Sequence, residues 1–195
     1  MDTVDAIPET SVQIVEALQS HEMVELCDAS SAAIEVGGGF GWLNPPPRQV
    51  LETYWKGVLV VPGRTLFVAR LDAVVAGSAQ LIRPTRNNEA QAAACTLVSH
   101  FVAPWARGHG LARMLTEAVE ETARAEGFGM INLDVRETQE AAIAMYEAMG
   151  YVHWGTHPLY ARLADGRWVP GRFYYKILVG DVPEPAAEPG PEDAA

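Results

Sequence analysis

The segment Val102-Ala-Pro-Trp-Ala-Arg-Gly-His-Gly-Leu-Ala-Arg113 places the tightest constraint on how this 195-residue chain can fold. An apolar stretch ends there, two glycines stand one residue apart, and an amphipathic helix follows. Gly108 and Gly110 let the backbone turn sharply and approach a ligand closely. The first-turn N–H groups of the helix have no partners within it and lie at the positive end of its dipole. A strand, a glycine turn and a helix in that order make a seat for an anion, most often a phosphate. The expected ligand is a nucleotide or a cofactor with a nucleotide tail. A tight turn that merely closes a strand–helix unit is the plainer alternative.

The length suits one domain with a full core, and a chain that is 49% hydrophobic and 20% charged reads as an ordinary globule. Its net charge of −11 is concentrated at the ends. Eight of its 25 acids lie in residues 1–10 and 181–195, which leaves 17 acids against 14 bases in the body. No basic stripe is present, so nucleic acid is not an expected partner. Cys27 and Cys95 lack zinc-type spacing and read as buried, reduced thiols. The N-terminus has no signal-peptide pattern, and residues 90–106, though free of formal charge, contain Ser99, His100 and Pro104. No membrane partner and a cytoplasmic location are expected.

Periodicity predicts a strand over Val12 to Leu18 and a helix from Ser20 to about Glu35, stopped by Gly37-Gly-Gly39. A loop through Pro47 leads to a helix ending near Leu59, with Pro47 in its first turn. Strands follow over Thr65 to Leu71, Val74 to Ile82 and Ala93 to Val102, the first two joined by a tight Asp72-Ala73 hairpin. The helix after Gly110 carries Leu111, Leu115, Ala118, Val119 and Thr122 on one face, with Glu117, Glu120, Glu121 and Arg124 mostly elsewhere. A strand over Met130 to Val135, a helix over Gln139 to Met149 and a closing hairpin over Tyr151 to Leu163 and Arg167 to Leu178 complete the domain. Helices set between strands imply an α+β or α/β sheet with helices on its faces. The domain is expected over residues 11–180, between a flexible segment 1–10 and a disordered acidic Pro/Ala tail 181–195.

A dinucleotide site is one candidate, with Asp134 near the place of a ribose-binding acid. Against it, Arg113 occupies the third glycine position and a single strand–helix unit follows. Coenzyme A is the other candidate. Arg107-Gly-His-Gly-Leu-Ala112 matches an Arg/Gln-x-x-Gly-x-Gly/Ala signature. Downstream, Gln139-Glu-Ala-Ala-Ile-Ala-Met-Tyr-Glu-Ala-Met-Gly-Tyr151 is similar to Asn-x-x-Ala-x-x-x-Tyr followed by Gly and an aromatic. On these two motifs the chain resembles the GCN5-related N-acetyltransferases (GNATs), from about Val12 to Leu178. Gly38-Gly-Phe-Gly-Trp-Leu43, Leu133-Asp134 and the ending from Tyr160 to Lys176 also resemble the tabtoxin-resistance type of small-molecule acetyltransferase.

The resemblance implies a mixed, mostly antiparallel sheet with helices on both faces and a splayed central pair of parallel strands. Acetyl-CoA, as cosubstrate and without a metal, would lie in that splay. Phe101 and Val102 would offer backbone groups to the pantetheine and one N–H to the thioester oxygen. The N–H groups of Gly108, His109, Gly110, Leu111 and Ala112 would hold the pyrophosphate, with Arg107 and Arg113 adding charge. Gln139 stands where the family usually has Asn, within reach of the pantetheine. Tyr146 would be the general acid, since a departing thiolate needs a proton and a phenol with a reference pKa of about 10 can supply it.

The base is less defined. The usual strand positions hold Thr96 and Val98, and two-residue alternation puts His100 on their face. Asp134 is the preferred base by resemblance, although one extra residue separates it from Tyr146; it could instead cap the next helix. Trp42, His100, Trp154 and Tyr160 are the candidate acceptor-binding residues, with ordinary packing the alternative for the aromatics. His153 and His157 have a spacing seen in zinc sites, but no cysteine pair accompanies them. Three functions compete: acetyl transfer to the primary amine of a small molecule by direct attack, protein lysine or N-terminal acetylation, and acyl-CoA sensing without turnover. Monomers and homodimers both occur among such chains.

Overall fold

The computed structural model describes residues 7–38 and 40–180. In chain order its elements are β1 (Thr10–Val15), α1 (Ser20–Glu35), α2 (Arg48–Val60), β2 (Arg64–Leu71), β3 (Val74–Ile82), β4 (Ala94–Val102), α3 (Leu111–Ala125), β5 (Met130–Arg136), α4 (Glu140–Ala148), β6 (Val152–Arg162) and β7 (Trp168–Ile177). The expected acidic tail 181–195 lies outside the described residues. So does most of the segment expected to be flexible at the N-terminus, although Thr10 already belongs to β1.

The strands form one sheet in the order β1-β2-β3-β4-β5-β7-β6. Every neighbouring pair is antiparallel except β4 and β5. That parallel pairing runs only from Ala94 against Met130 to Thr96 against Asn132, and the two strands then part. Two-residue alternation sorts side chains between two cores. Phe67 and Ala69 of β2 join Leu81, Leu97, Ile131 and Leu133 beneath α3 and α4. Leu66 and Val68 join Leu26, Ile34, Leu51 and Trp55 beneath α1 and α2.

Local chemistry accounts for the element ends. Asp72 and Ala73 take φ of 49° and 68°, the left-handed pair a two-residue hairpin needs to match strand twist. The Glu9 N–H donates to Asp72 Oδ1 at 2.9 Å, which also draws β1 into register. That register accounts for the first strand lying at Thr10–Val15 rather than Val12 to Leu18. It pairs with Leu66 to Leu71, and the chain must then leave the sheet to reach the capping box of α1. Glu22 accepts from the Gln19 N–H at 2.8 Å, and Gln19 caps a helix that begins at Ser20. Pro47 likewise caps α2 from outside instead of sitting in its first turn.

Glu120 departs most from the expected helix face. It is 3% exposed and inside the core. Lys176 Nζ donates to its two oxygens at 2.8 and 2.7 Å, and Arg124 donates at 2.8 Å. A carboxylate can be buried there because β7 and the next turn of α3 bring it two cations. Cys27 and Cys95 are free and buried, and burial pushes their thiols up to about 11 and about 12. Among the described residues no helix is long and apolar enough to cross a membrane.

Candidate active site

The site begins where β4 leaves β5. Val98 pairs with Gln80 and Phe101 with Ser78, so Ser99 and His100 share the place opposite Ala79. Ser99 has φ of +50°, an unfavourable conformation for a residue with a Cβ. Such a bulge bends its strand and re-aims the side chains beyond it. Neighbours hold it in place: Tyr54 Oη lies 3.2 Å from Ser99 Oγ, and Gln80 Nε2 donates to Tyr54 Oη at 3.2 Å. Arg64 in turn donates to Gln80 at 2.7 Å.

The bulge corrects the expected placement of His100. Plain alternation puts it beside Thr96 and Val98; the extra residue turns it to the opposite face, toward α3 and α4. There its Nε2 lies 3.0 Å from the Ala112 carbonyl and its Nδ1 2.7 Å from Tyr146 Oη. A carbonyl only accepts, so the neutral ring carries its proton on Nε2 and Nδ1 accepts from the phenol. Burial holds His100 down at about 4, with the Ala112 carbonyl opposing it. Burial, with a smaller contribution from the Asp134 charge, pushes the Tyr146 phenol well above its ordinary value. Around neutral pH the pair is therefore a protonated phenol on a neutral imidazole.

Two cavities meet beside this pair, and Gly38, His100, Gln139 and Ala142 border both. The first, of about 650 Å³, takes in Phe101, Val102, Arg107, Gly108, Gly110, Leu111, Ala112 and Arg113. Gly108 and Gly110 have φ of +85° and +79°, and a Cβ on either would meet no protein atom within 4 Å. Gly110 caps α3 without any side-chain hydrogen bond among the described residues, and the first-turn N–H groups of a helix have no partner within it. This cradle fits a pyrophosphate: left-handed glycines, N–H groups at a helix start that have no partner within the helix, and two guanidinium groups. Arg113 also donates to Glu117 at 2.8 Å. His109 is exposed, with Nδ1 3.1 Å from the Arg107 carbonyl, and does not line the cavity. Gln139 caps α4 and donates through Nε2 to the Gly37 carbonyl at 3.0 Å, tying the loop after α1 to the throat.

The second cavity, of about 730 Å³, lies on the other side of the throat and includes Trp42, Asp134, Tyr146 and Tyr160. Trp42 both packs and lines: it meets Phe40 and Tyr54 edge-on at 5.6 and 5.0 Å, within an aromatic group that also holds Trp55 and Phe101. Tyr160 donates to Asp134 Oδ2. Its ring lies so close over Gly171 that a Cβ there would fall 2.2 Å from it. Asp134 is not the cap of α4, a place taken by Gln139. Trp154 stands apart from the others. It lies on edge strand β6, 62% exposed, against Phe173 at 5.7 Å, and lines neither cavity.

His153 bonds Thr156 at 3.0 Å, and no group of three or more His, Cys, Asp or Glu placed to hold a metal occurs among the described residues. Sequence reasoning passed over Arg136, Arg162 and Trp168, all of which line the second cavity. Arg136 could have been found by alternation, two residues beyond Asp134. Arg162 and Trp168 face each other across the β6–β7 hairpin, a pairing the turn at Ala164-Asp-Gly166 encodes.

A sheet that opens between two parallel strands, with a glycine turn and a helix start on one side of the gap and a buried tyrosine beside it, is the architecture of an acetyltransferase. A family model described as the acetyltransferase (GNAT) family matches residues 30–151. The chain belongs to the GNAT family and is an N-acetyltransferase. It is 63% identical over 131 residues to the uncharacterized N-acetyltransferase of the hisH-hisA intergenic region of Azospirillum brasilense, covering 67% of this chain and 78% of that one. An N-acetyltransferase structure from Staphylococcus aureus Mu50 superposes with a TM-score of 0.72 at 18% identity, over 88% of this chain and 99% of that one. The structure of yncA from Salmonella typhimurium with its cofactor acetyl-CoA superposes at 0.69 and 16% identity, over 91% and 99%. The fold expected from the two motifs is the fold observed.

Proposed function

We propose that the chain transfers an acetyl group from acetyl-CoA to the primary amine of a small molecule by direct attack. The observation that carries this reading is the throat, where a phosphate-type cradle and an aromatic-walled cavity meet at Tyr146 and His100. The loop around Trp42 and the β6–β7 hairpin wall the acceptor side, which favours a small molecule over a polypeptide. When bound, acetyl-CoA supplies an activated acetyl carbon: the amine nitrogen bonds to it, the carbon–sulfur bond breaks, and the sulfur leaves as a thiolate.

The protein's part is positioning and two proton transfers. The N–H groups of residues 108–112, with Arg107 and Arg113, hold the diphosphate in the cradle, and Gln139 lies along the path to the throat. Beyond Thr96 the edge of β4 that faces β5 is released from pairing, so Phe101 and Val102 can offer backbone groups to the acyl arm. Tyr146 keeps its proton on Oη because burial raises its pKa; in the reaction the O–H turns from His100 Nδ1 to the leaving sulfur and delivers its proton there. His100, neutral and anchored on Ala112, fixes the phenol at the throat. Asp134, steadied by Tyr160, takes the proton that the amine loses. One proton leaves nitrogen and one reaches sulfur, so the balance closes.

A thiol-release assay with acetyl-CoA and parallel panels of small amines and peptides tests the reading. Thiol released with a small amine and an N-acetylated product found by mass spectrometry are expected. Acetylation confined to peptides would overturn it.

A further inference from the structure

Charged groups in the acceptor cavity go beyond what acetyl transfer alone requires. Ile131 and Leu133 of β5 point into the core beneath α3, so Asp134 and Arg136 share the opposite face, two residues apart with opposite charge. Arg136 is half-buried, and burial pulls its guanidinium below the usual value. Arg162, from the β6–β7 hairpin, is a second cation on the same cavity. Asp134 is the one carboxylate among the described lining residues. Among the described lining residues the cavity carries two guanidinium groups and one carboxylate, although an amine acceptor is itself a cation before it loses its proton. A cavity built for an amine alone, or for a polyamine, would carry the reverse balance.

We infer that the acceptor is a small amine that also carries a carboxylate, an amino acid or close analogue, with its anion on Arg136 and Arg162 and its nitrogen turned to Asp134. This rests on the acetyl-transfer reading above and names its substrate class. Guanidinium is suited to the role because its planar fork can hold both oxygens of a carboxylate, which fixes the other end of the molecule. Asp134 and Arg136 stand on alternate residues of one strand, about 7 Å apart along it. An amino group and a carboxylate on one small molecule can answer both charges at once. Phe40, Trp42, Leu43 and Trp168 supply the remaining wall, which suits an uncharged side chain.

The test is steady-state thiol release with matched acceptors: leucine against isoamylamine, phenylalanine against phenethylamine, each also as the amino-acid amide, with putrescine as a doubly cationic amine. The acid is expected to exceed its decarboxylated partner by about 10- to 100-fold in kcat/KM, mainly through KM, as for loss of a charge-assisted hydrogen-bonded pair. Arg136→Gln and Arg162→Gln should each shrink that ratio, and Arg162→Lys should keep more of it than Arg162→Gln. Arg162 is exposed, so its variants keep the fold even if Arg136→Gln does not. Equal or better turnover of the decarboxylated amines or of putrescine overturns this inference and leaves acetyl transfer standing. Thiol release with none of these or any other amine overturns both.

Discussion

Replacing Tyr146 by Phe removes a single oxygen from the throat, and the structure separates what that does to chemistry from what it does to folding. The residue is 4% exposed, and its hydroxyl is donated to His100 Nδ1 at 2.7 Å. Losing it leaves a buried imidazole nitrogen without its partner, which costs about 1–3 kcal/mol of folding stability. The ring itself, packed 5.4 Å from that of Tyr151, stays. If the phenol protonates the leaving sulfur, kcat falls by about 10²- to 10⁴-fold, or roughly 3–5 kcal/mol of barrier. The cradle from Arg107 to Arg113 is untouched, so the affinity for acetyl-CoA measured by calorimetry should hold.

The pH profile gives an independent check. Burial raises the Tyr146 pKa, so the phenol stays protonated through the working range, and kcat/KM should climb with amine deprotonation and show no loss between about pH 7 and 9. Two results would refute the reasoning: a Phe variant as active as the parent at every pH, or a variant that loses acetyl-CoA binding in step with activity.

Three further outcomes are expected. His100 is held at about 4 against its ordinary 6.5, so the unfolded chain binds a proton that the folded chain excludes. Stability should therefore decline as pH falls from about 6.5 to about 4, by up to roughly 3 kcal/mol, and urea titrations of His100→Asn should lack that component. Gly110→Ala meets no clash but forces a Cβ into φ of +79° beside the proposed diphosphate seat. It should cost about 1–2 kcal/mol of stability and weaken acetyl-CoA binding about tenfold, which calorimetry reads directly. Lys176→Met strips the buried Glu120 of one of its two cations and should cost about 2–4 kcal/mol in denaturant titration. Adding Glu120→Gln should restore part of that loss.

The element order was legible in the residues themselves. Period-two and helical spacing, the Asp72-Ala73 turn and the glycines at 108 and 110 are local signals, and α1 and β3 fall at Ser20–Glu35 and Val74–Ile82 as the pattern indicates. The two motifs, 107–112 and 139–151, likewise carried the family, because a glycine turn before a helix and a tyrosine on the next helix each occupy one short segment. The chain's own order thus determined the architecture and the glycine-turn side of the throat.

Tertiary structure decided the other side of the throat. Which face His100 takes depends on the bulge at Ser99, held by Tyr54 from 45 residues away and by Gln80 on β3. No alternation rule applied to β4 alone contains that extra residue. Glu120 is buried because Lys176, 56 positions later, reaches it, and Asp134 meets Tyr160 because β7 threads between their strands. Trp154 lies on the edge strand and does not line the cavity, whereas Arg162 and Trp168 of the same hairpin do. Local periodicity reports which side of an element faces apolar surroundings. The partner found there is set by registers and bulges that exist only once distant strands have paired.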